Sequence, residues 1–174
     1  DYLDLYLYHQ VSEQVPLEET IGAMNELVER KLVRYIGVSN FAPTRLERAM
    51  RASSVPIVLN QVHYSLKFRE PESSGLLDFC REHDVLVQAW RPVRGVETCP
   101  LTEELCRKYE LSLHQLALAW LMSQKNIGTI TAMKNPAHLP ENIRAAETVL
   151  AEPDVERLRQ EYPDVNYVSS VPLS

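Results

Sequence analysis

The sequence predicts a parallel α/β protein built from repeated βα units, and three observations carry that prediction. Short apolar, β-branched segments alternate along the 174 residues with stretches whose apolar positions recur every three to four residues. The run Tyr35-Ile36-Gly37-Val38-Ser39-Asn40-Phe41 ends one such segment in two small polar residues and passes directly into a helix start. In parallel α/β proteins that junction is where ligands bind. Finally, the five glycines are too scattered for the closely spaced phosphate grip of a Rossmann unit after the first strand.

The first strand is expected from about Leu3 to His9. Pro16, suited to opening a helix, precedes a segment that places Leu17, Ile21, Met24 and Leu27 on one face. A strand over Tyr35 to Val38 leads to a helix from Pro43 to Met50, and a strand over Ile57 to Val62 leads to a helix across Leu76-Leu77-Asp78-Phe79-Cys80. The strand Val85 to Ala89 ends at Trp90. A longer helix then carries Leu113, Leu116, Ala117, Trp120 and Leu121 on one inward stripe. A strand over Ile127 to Ala132 and helices over Leu139 to Val149 and Val155 to Tyr162 complete the chain before an irregular tail. The right-handed crossover rule makes all five strands parallel. With no composition break and no repeat of fixed period, residues 1–174 read as a single domain.

Composition narrows the function classes. At 45% hydrophobic the chain can fill one sizeable core, and no apolar run approaches the roughly 18 residues of a membrane span. A net charge of −6 without any basic, aromatic-interleaved cluster argues against nucleic-acid and acidic-membrane partners. Cys80, Cys99 and Cys106 are odd in number and lack a CxxC spacing, so they read as reduced thiols; with no signal segment visible, a cytoplasmic location is expected. His63, His83 and His114 have no ligand-like spacing, and no metal site is expected. The pairs Glu18-Glu19 and Glu103-Glu104 sit at helix starts, where they offset the positive end of the dipole.

The junction at Ser39-Asn40 has neighbours that together make a pattern: Leu3-Asp4-Leu5-Tyr6-Leu7-Tyr8-His9 upstream, then Asn60-Gln61-Val62-His63-Tyr64, Ala89-Trp90-Arg91-Pro92, and Lys134-Asn135-Pro136 with Glu141-Asn142. In this order and rough spacing the chain resembles the aldo-keto reductases over nearly its whole length. The resemblance implies a TIM (β/α)₈ barrel, a fold that usually needs about 250 residues. It identifies the five units here as the fourth through eighth, a partial barrel lacking the first three. A first strand without its usual neighbour would expose a pairing edge, with the aggregation risk that brings.

The resemblance also implies an activity: NADP(H)-dependent interconversion of a small carbonyl compound and an alcohol, with NAD(H) as the alternative cofactor. His9 matches the family's substrate-orienting histidine, placed to donate to a carbonyl oxygen. The family's proton donor is a Tyr assisted by a Lys and an Asp on earlier units, and none of the three can be matched here. Tyr6 and Tyr8 read as packing residues. The 174 residues alone are therefore expected to be inactive. Rival readings are a non-catalytic cofactor-binding regulatory subunit of the same fold and a truncated gene remnant.

Ser39, Asn40 and Gln61 match positions that hold the nicotinamide carboxamide; helix capping is the plainer use of a Ser-Asn pair at that place. Trp90 stands where the family usually has an aromatic residue stacked on the nicotinamide, although a Trp at a strand end is often simply core. Arg91 replaces the Ser of the family's usual Ser-Pro-Leu-Gly and either reaches the pyrophosphate or substrate mouth, or is a solvated loop charge. The stretch from Thr131 to Asn142 resembles the adenosine-phosphate loop: Lys134 with Asn135 and the helix start for the ribose 2′-phosphate, Glu141 and Asn142 for adenine. His138 stands where many relatives have Arg or Gln, which narrows the expected preference for NADP(H) over NAD(H). The strand-end residues His9, Ser39, Asn40, Gln61 and Trp90 are expected to face one cavity.

Overall fold

Strands and helices alternate in the computed structural model, which describes residues 1–12, 14–163 and 171–174. The elements are β1 (Leu3–Tyr8), α1 (Leu17–Glu29), β2 (Val33–Ser39), α2 (Pro43–Ala52), β3 (Ile57–His63), α3 (Glu70–Ser73), α4 (Leu76–Glu82), β4 (Leu86–Trp90), α5 (Pro100–Tyr109), α6 (Leu113–Met122), β5 (Ile127–Thr129), α7 (His138–Glu147) and α8 (Glu152–Glu161). The five strands form one sheet in the order β1-β2-β3-β4-β5, with β1 parallel to β2 and β2 parallel to β3. Strands adjacent in sequence and adjacent in the sheet, each separated by helix, are the pattern of a partial (β/α)₈ barrel. Among the described residues no helix is long and apolar enough to cross a membrane.

The chain divides into two compact units. The first comprises Asp1–Val62, Pro71–Gln88 and Val171–Ser174. Its core is built from Ile21 and Met24 of α1, Ile36 and Val38 of β2, Phe41, Leu46 of α2, Leu59 and Val62 of β3, and Leu76 and Cys80 of α4. Burial pushes the Cys80 thiol up to about 12, so it packs as a neutral, unreactive group. At β1 the chain is more open: Leu3 and Tyr6 are exposed, whereas Tyr8 packs edge-on against Phe41 at 5.9 Å. Of the two tyrosines read as packing residues, only Tyr8 has that role.

The second unit comprises His63–Glu70 and, among the described residues, 89–163. Its centre is Trp120, fully buried, edge-on to Tyr64 at 6.1 Å and donating its indole N–H to the carbonyl oxygen of Val155 (3.3 Å). The sequence suggested one apolar stripe on α6, yet Leu116 through Leu121 are all buried, because α6 packs against α5, α7 and β5 at once. Both α5 and α6 open with a capping box, Cys99 with Thr102 and Ser112 with Gln115.

Strand β5 stops at Thr129, three residues short of the expected Ala132. Ile130 and Thr131 continue the β-branched run, but the chain then passes into Ala132, Met133, Lys134 and the turn pair Asn135-Pro136, which do not extend a ladder. The one-turn helix α3, with Pro71 in its first turn, was not signalled by any apolar period because four residues are too few to show one.

A buried carboxylate ties α5 to α8. Asp154, 4% exposed, accepts hydrogen bonds from Lys108 Nζ (2.6 Å), Tyr109 Oη (2.6 Å) and Arg157 Nη1 (3.2 Å), and Arg157 also grips both oxygens of Glu104 at 2.8 and 2.7 Å. The Lys108 hydrogen bond, followed by that of Tyr109, holds the Asp154 carboxyl below its ordinary value. A depressed folded-state value stabilises the fold above the ordinary aspartate pKa of about 4, and that stabilisation is lost as pH falls through the depressed value. Acid unfolding of the native chain followed by circular dichroism is therefore expected to begin below about pH 4 and to steepen there. Asp154→Asn is expected to lower stability at pH 7 and to flatten that acid limb. An unchanged acid limb in the variant would assign the acid sensitivity to other carboxylates.

Candidate functional site

Backbone geometry sets the carboxyl end of β2 before any side chain does. Gly37 pairs with Leu7 of β1 and Leu59 of β3, and a Cβ at that position would stand 2.6 Å from Leu7 Cδ2 and 2.7 Å from the Leu59 carbonyl oxygen. The β2–β3 register shifts at the same place: Ile36 pairs with Ile57, but Gly37 pairs with Leu59, so Val58 is an extra residue on β3. Beyond the bulge Ser39 lies opposite Gln61. Without it Ser39 would face Asn60, and the residues that share its side of the sheet would change.

Three of the expected site residues meet there. Ser39 Oγ donates to the Gln61 carbonyl oxygen (3.0 Å), Asn40 Nδ2 donates to Ser39 Oγ (3.0 Å), and the Asn40 backbone N–H donates to the same Gln61 carbonyl (2.9 Å). Asn40 holds φ at 59°, in the left-handed region that Asn tolerates better than most residues, and turns the chain out of the strand. Gln61 Nε2 donates to Gln88 Oε1 at 2.6 Å. Helix α2 opens at Ala42 without a side-chain cap, so Ser39 and Asn40 are not spent as helix caps. His9 follows Tyr8, which pairs with Val38, so it arrives at the same end of the sheet as Ser39 and is exposed.

Residues beyond those picked from the sequence hold this corner. Asn60, fully buried, donates from Nδ2 to the Phe41 carbonyl (2.8 Å) and accepts from the Phe41 N–H at Oδ1 (3.4 Å). The backbone of Ser174 brackets the turn, its N–H donating to the Asn40 carbonyl and its carbonyl accepting from Ala42, both at 2.9 Å. Asn60 stands in the quoted motif, and its polarity within an apolar strand was the available signal. Nothing in the sequence of the tail marks Ser174.

In the second unit, Trp90 ends β4 half-buried, and its indole stacks on His63 at 4.5 Å. Arg91, exposed and with φ at 54°, lays its guanidinium 4.8 Å from the Trp90 ring centre. His63 is buried, and burial, with Arg91 and Arg94 nearby, lowers its pKa to about 4. Trp90 is therefore neither plain core nor an isolated surface ring.

Between β5 and α7, Lys134, Asn135, His138 and Glu141 are exposed and Asn142 is half-buried. Asn135 Oδ1 accepts from the Ala137 N–H (3.1 Å), an Asx turn that leads into α7. Asn142 Nδ2 donates to Thr131 Oγ1 (3.3 Å), and Gln115 Nε2 donates to the Glu141 carbonyl (2.9 Å). These bonds hold the loop against α6 and leave Lys134 on its exposed stretch. The ten-residue α7 begins at His138. The N–H groups of His138 and Leu139 donate to the Asn135 and Pro136 carbonyls (both 3.1 Å) and Pro140 has none, so what α7 adds beside Lys134 is the positive end of its dipole.

Chemically, the β2–β3 corner offers neutral donors and acceptors suited to a planar amide, while the α7 entrance offers a cation beside a helix N-terminus, suited to an anion. Among the described residues, no cluster of three His, Cys, Asp or Glu is placed to hold a metal ion.

The chain matches the Aldo/keto reductase family over residues 1–98 and 93–162. It is 33% identical to the NADPH-dependent alpha-keto amide reductase of Saccharomyces cerevisiae, over 81% of this chain and 49% of that protein. A thermostable aldo-keto reductase solved with the inhibitor epalrestat is 40% identical, with a TM-score of 0.87 over 92% of this chain and 60% of the other. An aldo/keto reductase from Klebsiella pneumoniae solved with NADP and acetate gives a TM-score of 0.85 at 28% identity, over 100% of this chain and 64% of the other. The chain spans about half the length of the curated relatives it matches.

Gly37→Ala tests the geometry of the β2 corner. A methyl group at 2.7 Å from a backbone carbonyl must displace β3. The variant is expected to lose about 1–3 kcal/mol in denaturant unfolding, the usual range for overpacking. A loss within ~0.5 kcal/mol would show that the strands can part there freely.

Proposed function

The chain belongs to the aldo/keto reductase family, and from that premise we propose that it carries the cofactor-holding half of an NADP(H)-dependent reductase of small aldehydes or ketones. NAD(H) is the second cofactor the residues can accept. The observation that carries the reading is the Ser39-Asn40-Gln61 corner, where the Asn40 amide, the Ser39 hydroxyl and the Gln61 main-chain carbonyl are linked at the carboxyl ends of β2 and β3, the Gln61 side chain reaches Gln88, and neither Ser39 nor Asn40 caps α2.

The residues fit the group. Asn40 and Gln61 each carry both an amide donor and an acceptor, which can satisfy a carboxamide and thereby fix which face of the nicotinamide ring is presented. Trp90 supplies a flat aromatic surface for that ring. Lys134 and the amino end of α7 take the ribose 2′-phosphate, with Asn135 shaping the loop and His138 at the helix start, and Glu141 and Asn142 hold the adenine. Arg91 neutralises pyrophosphate charge once it leaves the Trp90 ring. When bound, NADPH supplies the hydride. His9 donates a hydrogen bond to the substrate carbonyl oxygen and so orients it.

Only a neutral acid-base partner is then needed to deliver a proton to the developing alkoxide, a role worth about 10²–10⁴ in rate. No residue of this chain matches the family's Tyr, Lys and Asp for that step. We therefore expect the 174 residues to bind cofactor without detectable turnover. Robust NADPH-dependent carbonyl reduction by the purified chain, abolished by His9→Ala, would contradict this.

Calorimetric titration separates the two halves of the cofactor site. Trp90→Ala is expected to weaken NADPH and NADH alike, whereas Lys134→Ala weakens NADPH by about ten- to a hundredfold and NADH little, the scale of one charge-assisted contact. Equal losses for the two cofactors in Lys134→Ala would remove that residue from the phosphate.

A further inference from the structure

Trp90 is the outer ring of a three-ring stack whose other members no functional assignment covers. The His63 imidazole lies 4.5 Å from the Trp90 ring centre at 20° and 4.4 Å from the Phe68 ring centre at 25°. Phe68 is itself pinned. Its N–H donates to Ser65 Oγ (3.2 Å), its carbonyl accepts from the Ser65 N–H (3.1 Å), and Ser65 Oγ donates on to the Arg94 carbonyl (3.0 Å). Gly95, at φ 80°, comes so close that a Cβ would stand 3.2 Å from Phe68 Cε2 and 2.7 Å from Lys67 Cδ. Lys67 in turn pairs with Glu97 at 2.9 Å. The segment after β4 thus clamps Phe68, Phe68 backs His63, and His63 backs Trp90.

We propose that His63 is a positioning residue for cofactor binding: its imidazole fixes the plane of Trp90 so that the indole, once the Arg91 guanidinium that lies 4.8 Å from its centre moves aside, offers its opposite face to the nicotinamide ring. The proposal rests on the reading of Trp90 as the nicotinamide-stacking residue. A flat, uncharged ring suits this place better than an aliphatic chain, because two stacked planes resist tilting where a branched chain does not. A charged ring would suit it badly, since Arg91 and Arg94 lie close by and the site is buried. The imidazole accordingly stays neutral at physiological pH, and the stack does not switch with the titration of an ordinary histidine. His63 therefore acts as a polar-edged aromatic spacer and not as a proton carrier.

The test uses the 174-residue chain with NADPH as the probe. Three readouts are followed: the dissociation constant, energy transfer from tryptophan to the dihydronicotinamide, and the near-ultraviolet circular dichroism of the indole. His63→Leu keeps the volume and loses the plane, His63→Ala loses both, and His63→Phe keeps the stack. The Leu and Ala variants are expected to bind NADPH about three- to tenfold more weakly, the scale of one aromatic stack, with reduced energy transfer and a diminished indole signal. His63→Phe is expected to bind within about twofold of the native chain.

If His63→Ala does not fold, the Leu and Phe pair carries the comparison. A folded His63→Leu that binds as tightly as the native chain, while Trp90→Ala binds weakly, overturns the positioning role and leaves the Trp90 reading intact. Failure of His63→Phe to restore binding also overturns it, because the role is assigned to the flat ring. Absence of NADPH binding by the native chain, or undiminished binding by Trp90→Ala, instead overturns the underlying reading, and the proposal falls with it.

Discussion

The crowding of Gly37 between the Leu7 side chain and the Leu59 backbone is the constraint on which the β2 corner depends. Leu7 on one side and the Leu59 carbonyl on the other leave no room for a side chain, and the extra residue Val58 is accommodated at the same level. Two consequences follow from that one crowded position. Ser39 comes opposite Gln61, and the chain leaves β2 through the left-handed turn at Asn40. The buried Asn60 then binds both backbone groups of Phe41, so the turn is fixed from the sheet side as well. Polar groups that would otherwise be costly to bury have partners in this arrangement.

The second unit solves a similar problem by stacking. Its candidate ring, Trp90, is backed by His63 and Phe68, and the segment carrying Arg94, Gly95 and Glu97 closes over Phe68 and Lys67. Tyr162 extends the clamp, accepting from the Glu97 N–H (3.0 Å) and donating to the Glu97 carbonyl (2.7 Å), while Arg69 donates to the Tyr162 carbonyl (2.7 Å). A cation at the last carbonyls of α8 complements the helix dipole. The consequence is that a loop which begins as Arg91-Pro92-Val93-Arg94-Gly95, unlike the family's usual sequence, still has a defined course.

Much of this was legible in the sequence, for identifiable reasons. The strands and most helices were readable because their apolar periods of two and of three to four are long enough to count, whereas α5, Pro100–Tyr109, was given no range. The Ser39-Asn40 junction was readable through its neighbours along the chain, which together resemble the family's pattern. The early end of β5 was missed because Ile130, Thr131 and Ala132 are compatible with a strand, and only the Asn135-Pro136 turn downstream stops the ladder. The bulge at Val58 leaves no trace in composition; it is a relation between two strands. His63 read as a packing histidine, which it is, but its two ring partners lie five and twenty-seven residues away, and no local pattern links them. Ser174 at the Asn40 turn belongs to the same class of non-local contact.

The central claim is that the β2–β3 corner receives the nicotinamide carboxamide, and amide-resolved NMR of the labelled chain tests it most directly. On titration with NADP⁺ the side-chain amide resonances of Asn40 and Gln61 should shift and saturate together with the Trp90 indole N–H, at one common dissociation constant. Saturable NADP⁺ binding that moves the Trp90 and Lys134 regions while the Asn40 and Gln61 amides stay in place would contradict it.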